Sequence, residues 1–299
     1  MDQAEMRAKI ASGNGFIAAL DQSGGSTPKA LTGYGYKGDE WSTDDEMFGL
    51  IHQMRSRIIT ATSFGGGKVI GAILFEKTMD GSIDGKPVPR ALIDQGVVPF
   101  IKIDKGLADE ANGVQMMKPM PDLDALLVKA KGLGVFGTKE RSVINLANRE
   151  GIAAVVAQQF DVARQVLGHG MVPIIEPEVS IKSPERAEAD RIMLDEILKN
   201  LDSIPDGQQV MLKLTIPAEP GLFDSLVRHP KVLRVVALSG GFSRSEACRE
   251  LAKNPGMIAS FSRALLSDLR HDQSDEEFDR TLGTAIDEIY DASTEKAAA

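Results

Sequence analysis

The chain reads as an α/β protein, a single (β/α)8 TIM barrel domain over residues 1–299, on three observations. Eight short apolar runs recur from end to end, stretches of helical periodicity alternate with them, and no Pro/Gly/Ser-rich linker divides the chain. A chain of 299 residues fits two small domains or one barrel, and the unbroken alternation favours the barrel. An open doubly wound sheet is the other arrangement such alternation permits. It lacks its usual signatures here, because no GxGxxG follows the first run and no GxxxxGK[ST] occurs.

The runs are FIAAL (16–20), VIGAILF (69–75), VVPFIKI (97–103), GVFGTK (134–139), MVPIIE (171–176), QVMLKLTI (209–216), LRVVALS (233–239) and MIASFS (257–262). Between them, Met47, Leu50, Ile51, Met54 and Ile58 share one helical face after a Thr43/Glu46 capping-box pattern. Ile152, Val155, Val156, Phe160 and Ala163 repeat the period before Gly168 and Gly170 stop it. Ser183–Pro184 predicts another helix start, and Ser274 with Glu277 caps a last helix whose buried face is Phe278, Leu282, Ile286 and Ile289.

Composition narrows the function classes. Hydrophobic residues make up 42% and charged residues 26%, and no apolar stretch approaches the roughly 18 residues a membrane helix needs. The N-terminus carries acidic residues and no apolar signal-like core, and one cysteine, Cys248, allows no intrachain disulfide, so a reducing cytoplasm is expected. A net charge of −9 argues against general nucleic-acid or anionic-membrane binding. An anionic substrate must therefore meet a local cluster of cations.

That cluster lies on the strands. Side chains alternate along a strand, so Lys213 shares a face with Met211 and Thr215, opposite Val210, Leu212, Leu214 and Ile216. In a barrel the apolar set meets the helices and Lys213 points inward. The same parity groups Phe100, Lys102 and Asp104; Ile174, Glu176 and Glu178; Lys139 and Arg141; and Asp21 and Ser23. Taken singly, each has an ordinary structural reading, such as an edge lysine or a capping aspartate. Taken together they place charge at the C-terminal ends of successive strands, where barrels carry their chemistry. LSGG (238–241) and FSR (261–263) follow the seventh and eighth runs, where such barrels hold phosphate through backbone amides. A desolvated lysine beside other cations favours its amine form and attacks carbonyls, giving an iminium that acts as an electron sink.

The segments AALDQSGGSTPK (18–29), GAILFE (71–76), IKIDKGL (101–107), IIEPE (174–178), MLKL (211–214), LSGG (238–241) and FSRAL (261–265) resemble class I fructose-1,6-bisphosphate aldolase, in order and over nearly the whole chain. The resemblance implies a (β/α)8 barrel that reversibly cleaves fructose 1,6-bisphosphate to dihydroxyacetone phosphate and glyceraldehyde 3-phosphate, in glycolysis or gluconeogenesis, without metal or other cofactor. It implies Lys213 as the Schiff-base lysine, Glu176 as the main acid/base, Asp21 as the residue handling the C4 hydroxyl, and Lys139 as the adjacent catalytic lysine. Ser239, Gly240, Ser262 and Arg263 match one phosphate pocket; Ser23, Ser26, Lys102 and Arg141 match the other end of the substrate. The partners implied are small-molecule sugar phosphates.

Three positions depart from the animal enzymes. Ala30 stands where they carry arginine, Ser262 and Arg263 are adjacent rather than two residues apart, and the sequence ends in EIYDASTEKAAA without a mobile tail and terminal tyrosine. Tyr290 is expected to pack on the last helix. A zinc-dependent aldolase is disfavoured, since His52, His169, His229 and His271 follow no metal-ligand spacing. A transaldolase or deoxyribose-phosphate aldolase would also use a strand lysine, but two phosphate pockets favour a bisphosphate. A non-catalytic sugar-phosphate-binding protein would have no need of Lys213, Glu176 and Asp21 together.

Overall fold

The structure, a computed structural model, describes residues 1–297. Its eight barrel strands are β1 (Phe16–Leu20), β2 (Val69–Leu74), β3 (Val98–Lys102), β4 (Gly137–Ile144), β5 (Val172–Val179), β6 (Val210–Thr215), β7 (Val232–Leu238) and β8 (Ile258–Ala259). Each pairs in parallel with the next in chain order. The barrel nearly closes, with a backbone bond from Ala19 N to Phe261 O (3.0 Å) joining the β8 end to β1. Every expected run supplies a strand.

The capping-box signals resolve as drawn: Thr43 with Glu46 starts Asp44–Thr60, and Ser274 with Glu277 starts Asp275–Thr294. Phe278, Leu282, Ile286 and Ile289 are buried, and Tyr290 packs partly buried against the core with the Lys68 ammonium 5.2 Å from its ring. Two boundaries differ from expectation. The helix expected at Ser183–Pro184 begins at Arg186; Ser183 accepts the Glu185 amide at 3.3 Å in the turn before it, and the helix has no side-chain cap. The fourth strand runs 137–144 rather than 134–139: Gly134, at φ +85°, belongs to the turn leaving helix Leu123–Gly132, while RSVI continues the strand. Pairing of β4 with β3 ends at Lys102↔Lys139, but pairing with β5 continues to Ile144↔Val179. β4 and β5 therefore overhang the rim, where Val114–Gln115 pairs antiparallel with Val143–Ile144.

Two apolar layers hold the barrel. The outer one lies between strands and helices and includes Ile101, Ile175, Leu212 and Leu214; the inner one includes Ile17, Ile70, Phe100, Ile174, Met211 and Val236. Helix Gln3–Ser12 adds Met6 and Ile10 to the inner layer, and Arg7 to Gln209 (2.9 Å) and Arg234 to the Ala11 carbonyl (2.8 Å) tie it to the β6 and β7 ends. Gly137 starts β4 because nothing larger fits: a Cβ there would lie 2.2 Å from the Val172 carbonyl and 2.9 Å from the Phe100 ring. The inner apolar layer gives way to charge toward the C-terminal ends of the strands.

Candidate active site

Lys213, in the middle of β6, is 4% exposed and faces inward with Met211, while Leu212 and Leu214 face the helices. Its nearest anion is Glu176 on β5, Nζ to Oε1 3.5 Å. The other Glu176 oxygen lies 2.9 Å from Nζ of Lys139 on β4, and Lys139 also reaches Asp21 Oδ2, just past β1, at 2.7 Å. Three strand residues and one just past β1 thus form one buried chain, Lys213–Glu176–Lys139–Asp21. The helix behind β4, Arg149–Gly168, steadies it: the buried Gln159 side chain accepts the Glu176 backbone amide at 2.7 Å.

The two buried lysines are driven in opposite directions. Burial pushes the Lys213 ammonium below the ordinary lysine value, only partly offset by Glu176 and reinforced by the positive charge of Lys139. Burial acts on Lys139 too, but Asp21, Glu176 and Asp104 overcome it and hold this lysine charged, well above its usual value. Asp21 mirrors that outcome: burial alone would raise it, yet Lys139, Lys213 and Lys102 keep its carboxyl ionised far below the usual range. Environments that separate the titration of like groups mark out a nucleophile and its fixed counter-charges. One lysine is shifted toward its amine form and its neighbour is held as a cation.

Toward solvent, Lys102 bonds Asp104 at 2.7 Å, and Arg141 bonds Glu178 at 2.5 Å. Ser26 and Ser23 bond each other, Ser26 Oγ accepting the Ser23 amide at 2.9 Å and donating to its carbonyl at 2.8 Å, where helix Ser26–Gly33 starts. On the other side Ser239, just past β7, is buried, and Gly240 follows at φ +60°. A Cβ at Gly240 would meet the Ile181 side chain at 2.6 Å, so the turn exposing its amide requires glycine both for conformation and for space. Arg263 opens the short helix Arg263–Leu266, is exposed, and brings Nη2 within 3.5 Å of where a Gly241 Cβ would lie. Ser262 accepts a bond from Gln22 Nε2 at 2.5 Å. Ala30 lies partly buried on helix Ser26–Gly33 and adds no charge.

The residues expected from sequence therefore sit on one rim. The buried four stand in direct contact, the Lys102/Arg141 group lies at the β3–β4 side, and the Ser239–Gly240/Arg263 group at the β7–β8 side. Sequence reading missed Gln22, Gln159 and the buried Arg55 of helix Asp44–Thr60. Arg55 had a signal: it stands four residues after Ile51 and three before Ile58, on the apolar stripe of its helix. The histidines are dispersed, and among the described residues no group of three or more His, Cys, Asp or Glu side chains is arranged to hold a metal ion.

The fold and site together define a parallel eight-stranded barrel protein with a lysine–carboxylate cluster at its C-terminal rim. The family model for class I fructose-bisphosphate aldolase matches residues 4–218, which include β1 to β6 and all four buried residues, and the chain belongs to that family. The fold agrees. Fructose-bisphosphate aldolase from Plasmodium falciparum, solved with TRAP and a small-molecule inhibitor, superposes with a TM-score of 0.81 at 20% identity, covering 99% of this chain and 96% of that one. Cgl0159 from Corynebacterium glutamicum matches more distantly, with a TM-score of 0.56 at 12% identity over 97% and 92% of the two chains. No helix among the described residues is long and apolar enough to cross a membrane.

Proposed function

We propose that this protein is a metal-independent fructose-bisphosphate aldolase that forms a Schiff base on Lys213 and serves glycolysis or gluconeogenesis in the cytoplasm, with small-molecule sugar phosphates as its partners. The observation that carries the reading is the contact chain Lys213–Glu176–Lys139–Asp21 at the C-terminal rim. In this reading the neutral amine of Lys213 adds to the C2 ketone of fructose 1,6-bisphosphate. Glu176, 3.5 Å away, moves the protons that convert the carbinolamine to iminium and water. The C3–C4 bond then breaks. Its electron pair flows into the iminium to give an enamine, and the C4 hydroxyl proton passes to the ionised carboxylate of Asp21. Glyceraldehyde 3-phosphate leaves, C3 of the enamine is protonated, and hydrolysis returns dihydroxyacetone phosphate and the free lysine. Lys139 stays charged and holds both carboxylates in place.

The Gly240 amide and Arg263 fit the C1 phosphate and Lys102 with Arg141 the C6 phosphate, Ser239, Ser262, Ser23 and Ser26 completing the two groups. The deciding experiment is borohydride reduction with dihydroxyacetone phosphate followed by peptide mapping. Label is expected on the 208–217 peptide, with cleavage activity unaffected by excess EDTA. Lys213→Met, which keeps the volume but cannot form an imine, should be neither labelled nor active. Label on another lysine, or loss of activity on chelation, would overturn the assignment.

A further inference from the structure

Arg55 is the largest fully buried side chain of the molecule, 1% exposed, and among the described residues it forms no salt bridge. Its guanidinium reaches the rim beside the site. Nη1 donates to Thr78 Oγ1 just past β2 (2.6 Å), while Nη2 donates to the Gln22 carbonyl and, at 3.3 Å, to the Gln22 side-chain oxygen. The same Gln22 side chain donates from Nε2 to Ser262 Oγ at 2.5 Å. Gln22 follows Asp21, and Ser262 precedes Arg263. One buried cation thereby joins the segments that follow β8, β1 and β2, and it grips the peptide next to Asp21.

A purely structural arginine would be an odd choice here. Desolvating a guanidinium without a carboxylate partner is costly, and an apolar side chain of similar volume is often as stable or more so. What an apolar residue cannot do is fix the Gln22 peptide and side chain at once. We propose that Arg55 is a positioning residue: through Gln22 it holds Asp21 in reach of Lys139 and couples that carboxylate to the Ser262–Arg263 segment. A group arriving at Ser262 meets a hydroxyl already engaged by Gln22, so events at the β8 loop are transmitted to the peptide that carries Asp21. Burial lowers Arg55 to about 10, offset in part by Asp21, which leaves it charged at neutral pH.

The activity part of the test rests on the aldolase reading; the exchange part does not. Amide hydrogen exchange should accelerate at least about tenfold across residues 21–27 in Arg55→Lys and Arg55→Met, with β4 to β6 unchanged. For fructose 1,6-bisphosphate, kcat should fall about tenfold to a hundredfold with little change in KM, as expected when an acid/base group is misplaced rather than binding lost. Arg55→Lys combined with Ser262→Ala should fall short of the product of the single effects, because both act through Gln22. Gln22→Met, at a partly exposed position, removes only the side-chain bonds of Gln22 to Arg55 and Ser262, and faster exchange at 21–27 in that variant decides the matter where an Arg55 variant does not fold. Unchanged exchange at 21–27, or factors for Arg55 and Ser262 that simply multiply, would overturn the proposal. Should the wild type prove inactive on the bisphosphate, the exchange result still decides whether Arg55 positions Asp21.

Discussion

At the N-terminal end of the barrel Met6 and Ile10 join Ile17, Ile70 and Phe100 in one apolar layer; nearer the C-terminal end, the interior holds Lys213, Lys139, Glu176 and Asp21. Both ends are buried, but only the first is built from groups whose burial is favourable in itself. At the second, each charge depends on its neighbours, and removing one partner leaves another exposed to the full cost of desolvation. The difference teaches where stability and chemistry reside in this chain, and variants at each end should separate the two.

After the loss of activity expected of Lys213→Met, the largest effect is expected at Glu176. Glu176→Gln keeps shape and hydrogen bonding but removes the ionisable group, so turnover should fall roughly 10²- to 10⁴-fold with less effect on binding. A defect mainly in KM would assign Glu176 to substrate binding. Ile10→Ala tests the opposite end: it empties a fully buried site and should cost about 2 to 5 kcal/mol in denaturant unfolding. The folded fraction should keep its kcat. A fall in kcat would mean that the helix plug also shapes the rim.

Next comes Arg263, which is exposed and among the described residues forms no ion pair that must be broken to receive phosphate. A charge-assisted contact contributes roughly 1.5 to 3 kcal/mol, so Arg263→Ala should reduce kcat/KM for fructose 1,6-bisphosphate by about one to two orders of magnitude. Fructose 1-phosphate should lose efficiency by a similar factor, since it retains the C1 phosphate. If its cleavage were unchanged while the bisphosphate reaction suffered, Arg263 would serve C6 and the two pockets would exchange places.

How much of this was legible in the sequence follows from the range of each signal. Strand parity put Lys213, Glu176, Lys139 and Asp21 on the interior because alternation is a local property of each strand. Capping boxes at Thr43 and Ser274 were legible for the same reason. The overhang of β4 was not, because it depends on Val114–Gln115 arriving from a distant loop to pair with Val143–Ile144. Gln22 also escaped notice, since its importance comes from Arg55, 33 residues away, and Ser262, 240 residues away. The pairings of Lys102 with Asp104 and Arg141 with Glu178 unite residues that parity had assigned to common faces, yet contact itself is a tertiary fact.

The two faces of β4 carry the same contrast down to single residues. Inward, Lys139 and Arg141 each meet carboxylates; outward, Thr138, Glu140 and Ser142 are buried with side-chain oxygens that find no hydrogen-bond partner among the described residues, nor does Gln159 Nε2. Burial, reinforced by the negative charge of Asp104, pushes the Glu140 carboxyl well above the usual range and so favours its neutral form in the fold. Below the unfolded value, about 4.3, both states are protonated and this group adds no pH dependence to stability. As pH rises above that value the unfolded chain ionises while the native one does not, and stability falls until the folded carboxyl itself titrates. Glu140→Gln is isosteric and cannot ionise. It should match the wild type in thermal unfolding near pH 4.5 and become progressively the more stable protein toward pH 8, the gap widening by at most about 1.4 kcal/mol per pH unit. Asp190, raised by burial to about 6, titrates in the same window, but it is present in both proteins and cancels in the difference. Turnover should change little, because Glu140 faces away from Lys213. A stability gap that did not vary with pH would show that Glu140 keeps an ordinary carboxylate behaviour, and that the outward face of β4 finds its compensation as the inward face does.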